Sequence, residues 1–317
     1  MTPPSFHHLV DEYLTARRGL GFELEAPEWL LRNFASYAER LGHSGPMTIE
    51  LAVQWARASR SSNPAQAARR LVVVRQFARY CALFDPATEV PPVGLLGRIP
   101  RRPPPHIYTE AEMAALLQQA SCLRPRHGLR SVTYVVFFGL LVSTGLRLSE
   151  SCRLTTDDVD LVNGILTIRE TKFRKSRLIP LHQTTTQELA RYADQRDACR
   201  AAPRSEYFFR TERSPRLTRH AVQATFGRMK HRLGWTGHGR ARQPRIHDMR
   251  HTFVTRRLLR WYQEGADIDH QILALATYLG HARVTDTYWY CTVVPELLAS
   301  TSQRFERFAQ RASERPS

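Results

Sequence analysis

The sequence has few cysteines and no long apolar segment, and each shortage excludes a class of protein. Its 317 residues include five cysteines, no two of them within 25 positions of each other. This excludes CxxC-type zinc or redox pairs and argues against a disulfide framework. The longest apolar stretch, near Val132–Val142, contains Gly139 and is well short of the roughly 18 residues that a membrane span needs. Residues 1–18 lack a signal-peptide pattern, so we expect a cytoplasmic protein that does not enter the membrane.

Lysine is also scarce. Of the 46 basic residues only three are lysines, Lys172, Lys175 and Lys230, and the other 43 are arginines. Arginine holds phosphate through a planar fork of donors and stays charged, which makes it a poor proton donor. If the protein needs a lysine as a general acid, there are three candidates.

What the sequence has in excess is positive charge. The net charge is +17 and the pI about 10.4, a balance that points to a polyanionic partner, with nucleic acid as the first candidate. The basic residues are spread along the chain, which indicates a folded surface and not a basic tail. The length suits about two domains of roughly 150 residues each, and the 42% of apolar residues makes a packed core feasible.

The first part of the chain, residues 1–95, has apolar residues at helical spacing, as in the run from Trp29 to Leu41. We expect aromatic residues such as Trp29 and Phe34 in the core, and a helix start at Thr48. A segment rich in proline and arginine follows, and we take 96–107 as a linker. Consecutive prolines favour an extended, semi-rigid chain, which could lie along a phosphate backbone or serve as a plain spacer.

The second part, 108–317, mixes helices with a small sheet. Thr109 and Glu112 form a capping-box pattern at the start of a helix, and residues 132–144 predict a buried helix. Residues 157–181 predict a small antiparallel sheet with a turn at Asn163-Gly164, and the chain is predicted to be helical again from Thr186 nearly to its end. The predicted fold class is therefore mainly α with a small antiparallel β-sheet.

Three short stretches carry the chemistry. They are Thr144-Gly145-Leu146-Arg147-Leu148-Ser149-Glu150, His247-Asp248-Met249-Arg250-His251, and Leu279-Gly280-His281 with Tyr290 nine residues later. Their order and internal spacing resemble the tyrosine recombinase, or phage integrase, family, and the phrase around Tyr290 looks like integrases carried on mobile elements. The resemblance covers about 108–300. It implies an α+β catalytic domain, 108–317, behind a helical, SAM-like core-binding domain that contacts DNA, 1–95.

Cutting a phosphodiester requires a nucleophile, neutralisation of the non-bridging oxygens and a proton for the leaving oxygen. A phenol can form a covalent intermediate, and two arginines can fork onto phosphate oxygens. The resemblance assigns these roles to Tyr290, Arg147 and Arg250. It also places a catalytic lysine on the predicted hairpin, where Lys172 is favoured over Lys175 because it follows the first strand directly.

Two histidines complete the implied set of site residues. His247 lies three positions before Arg250, hence on the same helical face, and the resemblance makes it the acid/base towards the tyrosine. Metal binding by His247 and His251 is the alternative, but a third ligand would be needed. His281 is expected to hydrogen-bond the scissile phosphate. Tyr288 competes with Tyr290 as nucleophile, but the spacing favours Tyr290, and Tyr288 is expected to pack against the core.

These assignments imply a site-specific recombinase that cuts and rejoins double-stranded DNA through a 3′-phosphotyrosine link, with no cofactor, metal or ATP. We expect monomers in solution and a homotetramer on two DNA sites, with helper recombinases left open. Two alternatives stand beside this: a catalytically silent, sequence-specific DNA-binding protein, and a relaxing enzyme of the type IB topoisomerase kind.

The C-terminus predicts one more feature. Leu297, Leu298, Thr301, Phe305 and Phe308 fall at steps of three and four, which is typical of one apolar stripe on a short helix. Such a stripe needs a partner surface. It either packs on its own catalytic domain or docks into a neighbouring protomer, as the resemblance suggests.

Overall fold

A computed structural model describes residues 5–22, 24–59, 64–99, 104–125, 128–169, 176–235, 243–281 and 283–293. The chain divides into two compact units, Met1–Arg102 and Pro103–Ser317. The C-terminal stripe, Lys172 and Lys175 all lie outside the described residues. Among the helices that are described, none combines the length and the apolar character needed to cross a bilayer.

The first unit is helical and has its own core. Phe34, Trp55 and Phe77 are fully buried there, with the ring centroids of Phe34 and Trp55 5.5 Å apart. The hydroxyl of Thr48 accepts a hydrogen bond from the backbone N–H of Leu51 at 3.2 Å, which confirms the predicted helix start. The helices described in this unit are α1 (Phe6–Gly19), α2 (Glu25–Arg40), α3 (Ile49–Arg57) and α4 (Pro64–Cys81).

One predicted core residue of this unit lies at the surface. Trp29 is 66% exposed, whereas Leu31, Phe34 and Ala38 of the same helix are buried. Each residue turns an α-helix by about 100°, so Trp29 lies roughly 200° away from Leu31 and faces away from the buried side. The prediction that placed Trp29 in the core was wrong because it counted apolar residues without fixing which face they share.

The second unit combines helices with one small sheet. Thr109 caps its first helix, and the Glu112 carboxylate accepts from the backbone N–H of Thr109 at 2.8 Å, so the predicted capping box is confirmed. The elements described in this unit are α5 (Glu110–Ser121), α6 (Leu129–Thr144), α7 (Leu148–Arg153), β1 (Val159–Asp160), β2 (Ile165–Ile168), β3 (Arg177–Pro180), α8 (Gln183–Ala198), α9 (Arg219–Arg232), α10 (Ile246–Glu264), α11 (Ile268–Leu279) and α12 (Thr285–Val293).

The sheet has the predicted antiparallel form. Its order is β1-β2-β3, with Leu166 opposite both Val159 and Ile179. Gly164 in the turn between β1 and β2 has φ +67°, a conformation that glycine adopts without strain. Together with the many helices, the sheet confirms the predicted fold class.

The segment between α8 and α9 is not helical, contrary to the prediction of helix from Thr186 nearly to the end. Here Thr155 forms a bridge with Tyr207, and the backbone N–H of Phe208 donates to the Leu154 carbonyl at 2.8 Å. Phe208 and Phe209 are both buried in the core. Pro203 and Pro215 also lie in this segment, and proline disfavours a continuous helix, so local sequence and tertiary packing both explain the interruption.

Candidate active site

Arg147 lies at the junction of two helices. α6 ends at Gly145, and α7 begins directly after Arg147, whose backbone N–H donates to the Glu150 carboxylate at 2.9 Å. The Arg147 guanidinium also donates to that carboxylate, at 2.7 Å, and to the carbonyl of Gly280, at 2.8 Å. Its side chain is 30% exposed. The guanidinium of Arg147 is thus anchored by protein acceptors, while part of its side chain remains accessible to solvent.

Arg250 lies in the first turns of α10. This helix is capped by Asp248, which is fully buried and accepts from the backbone N–H of Arg245 at 2.8 Å. The two terminal nitrogens of Arg250 donate to the carbonyls of Gly145 and Leu279, each at 2.8 Å. Arg250 is therefore buried and joins the end of α6 to the end of α11.

The two glycines have a conformational reason to be there. Gly145 and Gly280 end α6 and α11 with φ of +64° and +65°, the left-handed region that glycine enters at no steric cost. A Cβ on Gly145 would lie 2.6 Å from the Phe253 ring, and one on Gly280 would lie 2.9 Å from the Arg177 guanidinium. Their carbonyls receive Arg250 and Arg147, so both helix ends help to build the arginine pair.

Glu150 and Arg177 form a buried ion pair behind the two arginines. Arg177, on β3, donates to the two carboxylate oxygens of Glu150 at 3.1 and 2.9 Å and to the Tyr278 carbonyl at 2.8 Å. Burial alone would raise the pKa of Glu150, but the hydrogen bonds and charges of Arg177 and Arg147 outweigh it and lower that pKa to about 2. Glu150 is therefore ionised at neutral pH, and it is one anion among three arginines.

The positive charge of this cluster changes its neighbours. Burial, followed by the nearby charge of Arg147, lowers the pKa of Arg250 to about 10. Burial and the charges of Arg250 and Arg147 lower the pKa of His281 to about 3, so its ring is neutral at pH 7. Crowded cations of this kind are relieved by a bound anion, and a phosphate has the geometry that two arginine forks accept.

His281 is oriented by the helix that follows it. Its Nδ1 lies 2.7 Å from the hydroxyl of Thr287 on α12, and Thr287 is fully buried. This contact fixes the ring plane and leaves Nε2 as the nitrogen that can meet a ligand. The second nitrogen of a histidine commonly acts in this way when its first is held by a neighbour.

The hydroxyl of Tyr290 meets a histidine, but not the expected one. It lies 2.8 Å from Nδ1 of His251, and both residues are buried. His247, expected beside the tyrosine, is exposed, and its ring stands perpendicular to that of His251 with centroids 4.8 Å apart. In this structure the hydroxyl of Tyr290 is thus at hydrogen-bond distance from His251. This hydrogen bond occupies Nδ1 of His251, one of the two histidines considered as metal ligands.

Tyr288 differs from its expected position in the core. Its side chain is 42% exposed, and its hydroxyl donates to the Asp269 carboxylate on α11 at 3.2 Å. The two competing tyrosines are thus in different environments, because Tyr290 is 3% exposed and belongs to an apolar cluster with Val254 and Leu258.

A cavity of about 520 Å³ opens beside Arg147 and His247. One of its walls is a face of α9, on which Lys230 donates to the side-chain oxygen of Gln243 at 2.8 Å. Arg219 and Arg245 add two more cations to the lining. The cavity therefore extends the positive region outward from the arginine pair.

Three residues of this cluster were not assigned a role by sequence reasoning. Glu150 stood in the first motif with no role, and His251 was considered only as a metal ligand. Arg177 is one of 43 arginines, and no local pattern separates it from the others. A signal for His251 did exist, because it directly follows Arg250 and lies one helical turn beyond His247.

Comparison with known proteins gives a consistent result. A model of the phage integrase family matches residues 107–296. A protein of Sinorhizobium fredii named as an integrase/recombinase is 41% identical over 307 residues, which are 96% of this chain and 98% of that protein. The tyrosine recombinase XerD of Pseudomonas putida is 30% identical over 92% of this chain and 94% of its own length.

A similar fold occurs among solved structures. The integrase of the transposon Tn1549, solved in complex with transposon right end DNA, superposes with a TM-score of 0.68 at 20% identity. The match covers 98% of this chain and 100% of the other. At this identity the likeness shows the shared fold.

Proposed function

The chain belongs to the phage integrase family of tyrosine recombinases, and from this premise we propose that it cuts and rejoins DNA at specific sites through a covalent bond between Tyr290 and a 3′ phosphate. One observation carries the proposal. Motifs more than 100 residues apart are joined by direct hydrogen bonds, from Arg147 to Gly280 and from Arg250 to Gly145. Together they form a cationic cluster next to the helix that carries a buried tyrosine.

The proposed step proceeds as a displacement at phosphorus. The oxygen of Tyr290 forms a bond to phosphorus, and the bond from phosphorus to the 5′ oxygen breaks. Arg147, Arg250 and the Nε2 of His281 stabilise the charge on the non-bridging oxygens. A 5′ hydroxyl from a second strand reverses the step and completes exchange, so the bond energy is conserved in the link and ATP is not needed.

The leaving 5′ oxygen needs a proton, and we assign its donor to Lys172, with Lys175 as the competitor. Both lie outside the described residues, in the part of the sequence that precedes Arg177. A substrate with sulfur at the bridging 5′ position supplies a leaving group that needs no proton. Lys172→Ala should lose activity on normal DNA and regain part of it on this substrate, whereas Lys175→Ala should respond equally to both. Equal loss by Lys172→Ala on the two substrates would exclude the assignment.

The cavity beside the site supports duplex DNA as the partner. Arg219, Lys230 and Arg245 continue the positive charge from Arg147, and neutralising phosphates releases counterions, so binding should weaken steeply with added salt. Joining two duplexes requires several active sites, and we propose a tetramer on two DNA sites built from monomers.

The decisive experiment compares the two tyrosines on a nicked suicide substrate, which traps a covalent protein–DNA adduct. Tyr290→Phe should form no adduct and still bind DNA, because one oxygen atom is lost. Tyr288→Phe should form the adduct. If the chain is only a DNA-binding protein, the wild-type protein forms no adduct either. If it is a relaxing enzyme, the wild-type protein relaxes supercoiled plasmid that carries no recombination site.

A further inference from the structure

We infer that His251 is a catalytic residue that takes the proton of the Tyr290 hydroxyl during strand cleavage, an inference that rests on the proposed role of Tyr290 as nucleophile. The distance between the hydroxyl oxygen and Nδ1 of His251 is 2.8 Å, within the range for proton transfer along a hydrogen bond. The contact is to the reacting atom itself.

Burial makes an internal acceptor necessary. Tyr290 is 3% exposed and His251 2% exposed, so the phenol proton cannot pass directly to bulk water. A neutral phenol is a weak nucleophile, and an acceptor at hydrogen-bond distance lets the proton leave as the bond to phosphorus forms. Imidazole is the side chain whose ordinary pKa is best matched to this task at neutral pH.

The surroundings favour the negative charge that this transfer creates on Tyr290. The charge of Arg250 attracts the ionised form of Tyr290, which stabilises the phenolate character that develops on its oxygen. When the proton reaches Nδ1, His251 becomes an imidazolium, and the scissile phosphate brought into the arginine pair supplies the opposing negative charge. On rejoining, the Tyr290 oxygen leaves phosphorus and takes the proton back from His251.

The position of His251 leaves a different part for His247. His247 is exposed and lines the cavity with Arg147, so it faces the surface that we assign to DNA. His251 lies four residues further along α10, behind His247, on the side where Tyr290 packs. His247 thus faces the substrate, and His251, one helical turn further on, contacts the nucleophile.

The test separates proton transfer from positioning. In His251→Asn the amide oxygen can replace Nδ1 as an acceptor of the Tyr290 hydrogen bond, but it cannot take up a proton. Adduct formation on the nicked substrate should fall by about 10²-fold or more, the usual contribution of a general base. His270→Asn is the matched control, because His270 is exposed on α11 and should leave the rate unchanged.

A second measurement uses trifluorotyrosine incorporated at position 290, since a lower phenol pKa raises the phenolate fraction about tenfold per unit. This substitution should restore much of the lost rate in His251→Asn and change the rate with His251 present far less. Wild-type speed in His251→Asn, or an equal response to fluorination in both backgrounds, would overturn the inference. Thermal melting and DNA binding show whether His251→Asn folds. If it does not fold, the test is the effect of trifluorotyrosine on the protein that retains His251. A strong gain in its cleavage rate would mean that His251 takes no proton.

Failure of this inference is distinguishable from failure of the proposed function. If Tyr290→Phe still forms an adduct, Tyr290 is not the nucleophile, and the proposed function fails. An inactive Tyr290→Phe together with a fully active His251→Asn removes only the role of His251.

Discussion

Arg147 and Arg250 both donate to main-chain carbonyls, and Arg147 also donates to the buried carboxylate of Glu150, whereas Thr287, Tyr288 and Tyr290 of α12 are bound by side chains. The carbonyls of Gly145, Leu279 and Gly280 belong to helix ends, and they move only if α6 or α11 moves. The contacts described for α12 run from Thr287 to His281, from Tyr288 to Asp269 and from Tyr290 to His251.

The arginine pair and α12 therefore differ in how easily they can rearrange. Main-chain acceptors cannot change rotamer, so the arginine pair is ready before any ligand arrives, as electrostatic stabilisation requires. Side-chain hydrogen bonds are worth about 0.5–1.5 kcal/mol each, so α12 can change its partners at modest cost. Substitutions at Glu150, Arg250, Thr287 and Tyr288 test this contrast, in order of decreasing expected effect.

Glu150→Ala should have the largest effect, on stability. It leaves the buried guanidinium of Arg177 without its anion, and breaking a buried pair in this way costs about 3–5 kcal/mol. The measurement is the free energy of unfolding by urea. Glu188→Ala removes an exposed partner of Arg191 and should cost less than about 1 kcal/mol. Equal losses in the two variants would show that the arginine cluster does not depend on Glu150.

The same carboxylate predicts a pH dependence. Its pKa is lowered from 4.5 to about 2 in the folded protein, so the unfolded chain binds the proton more readily. The stabilisation is therefore complete above pH 4.5 and is lost as the pH falls towards 2. Glu150→Gln should lack this part of the acid dependence when unfolding is measured between pH 6 and pH 2. An unchanged slope would contradict the lowered pKa.

Arg250→Lys should have the next largest effect, on cleavage. A lysine keeps the charge but cannot reach both the Gly145 and the Leu279 carbonyls and still present a fork to phosphate. Adduct formation should fall by about 10²–10³-fold, as for the loss of one charge-stabilising donor. Arg260→Lys, an exposed position on the same helix, is the control and should be fully active.

Thr287→Val should have a moderate effect. It removes the hydroxyl that orients His281 and keeps the side-chain shape, so adduct formation should fall by roughly three- to tenfold, the equivalent of one hydrogen bond. Thr287→Ser keeps a hydroxyl and should restore most of the rate. If Thr287→Val is as damaging as Arg250→Lys, α12 is as rigidly required as the arginine pair and the contrast fails.

Tyr288→Phe should have the smallest effect. Its hydrogen bond to Asp269 joins two exposed residues, and surface changes of this kind stay within about 0.5 kcal/mol. Adduct formation should change less than about threefold. A larger loss would mean that this contact helps to place Tyr290 through α12.

Much of the fold followed from local patterns. The Thr109 cap, the antiparallel sheet and the buried helix before Gly145 depend on residues a few positions apart, and these short-range rules were sufficient to predict them. They failed at Trp29 and between α8 and α9. At Trp29 the apolar residues were counted without separating the faces of the helix, and between α8 and α9 the prolines Pro203 and Pro215 interrupt the helical pattern.

The family and the candidate residues follow from the motifs and their order along the chain, which can be read without a structure. Which atoms come into contact depends on the folded chain. Folding brings Arg177 to Glu150 from a strand 27 positions away. It also places the Tyr290 hydroxyl beside His251, although the sequence pattern had assigned this contact to His247. The physical reason is that a hydrogen bond depends on the relative placement of whole helices, and the packing of distant apolar faces sets that placement.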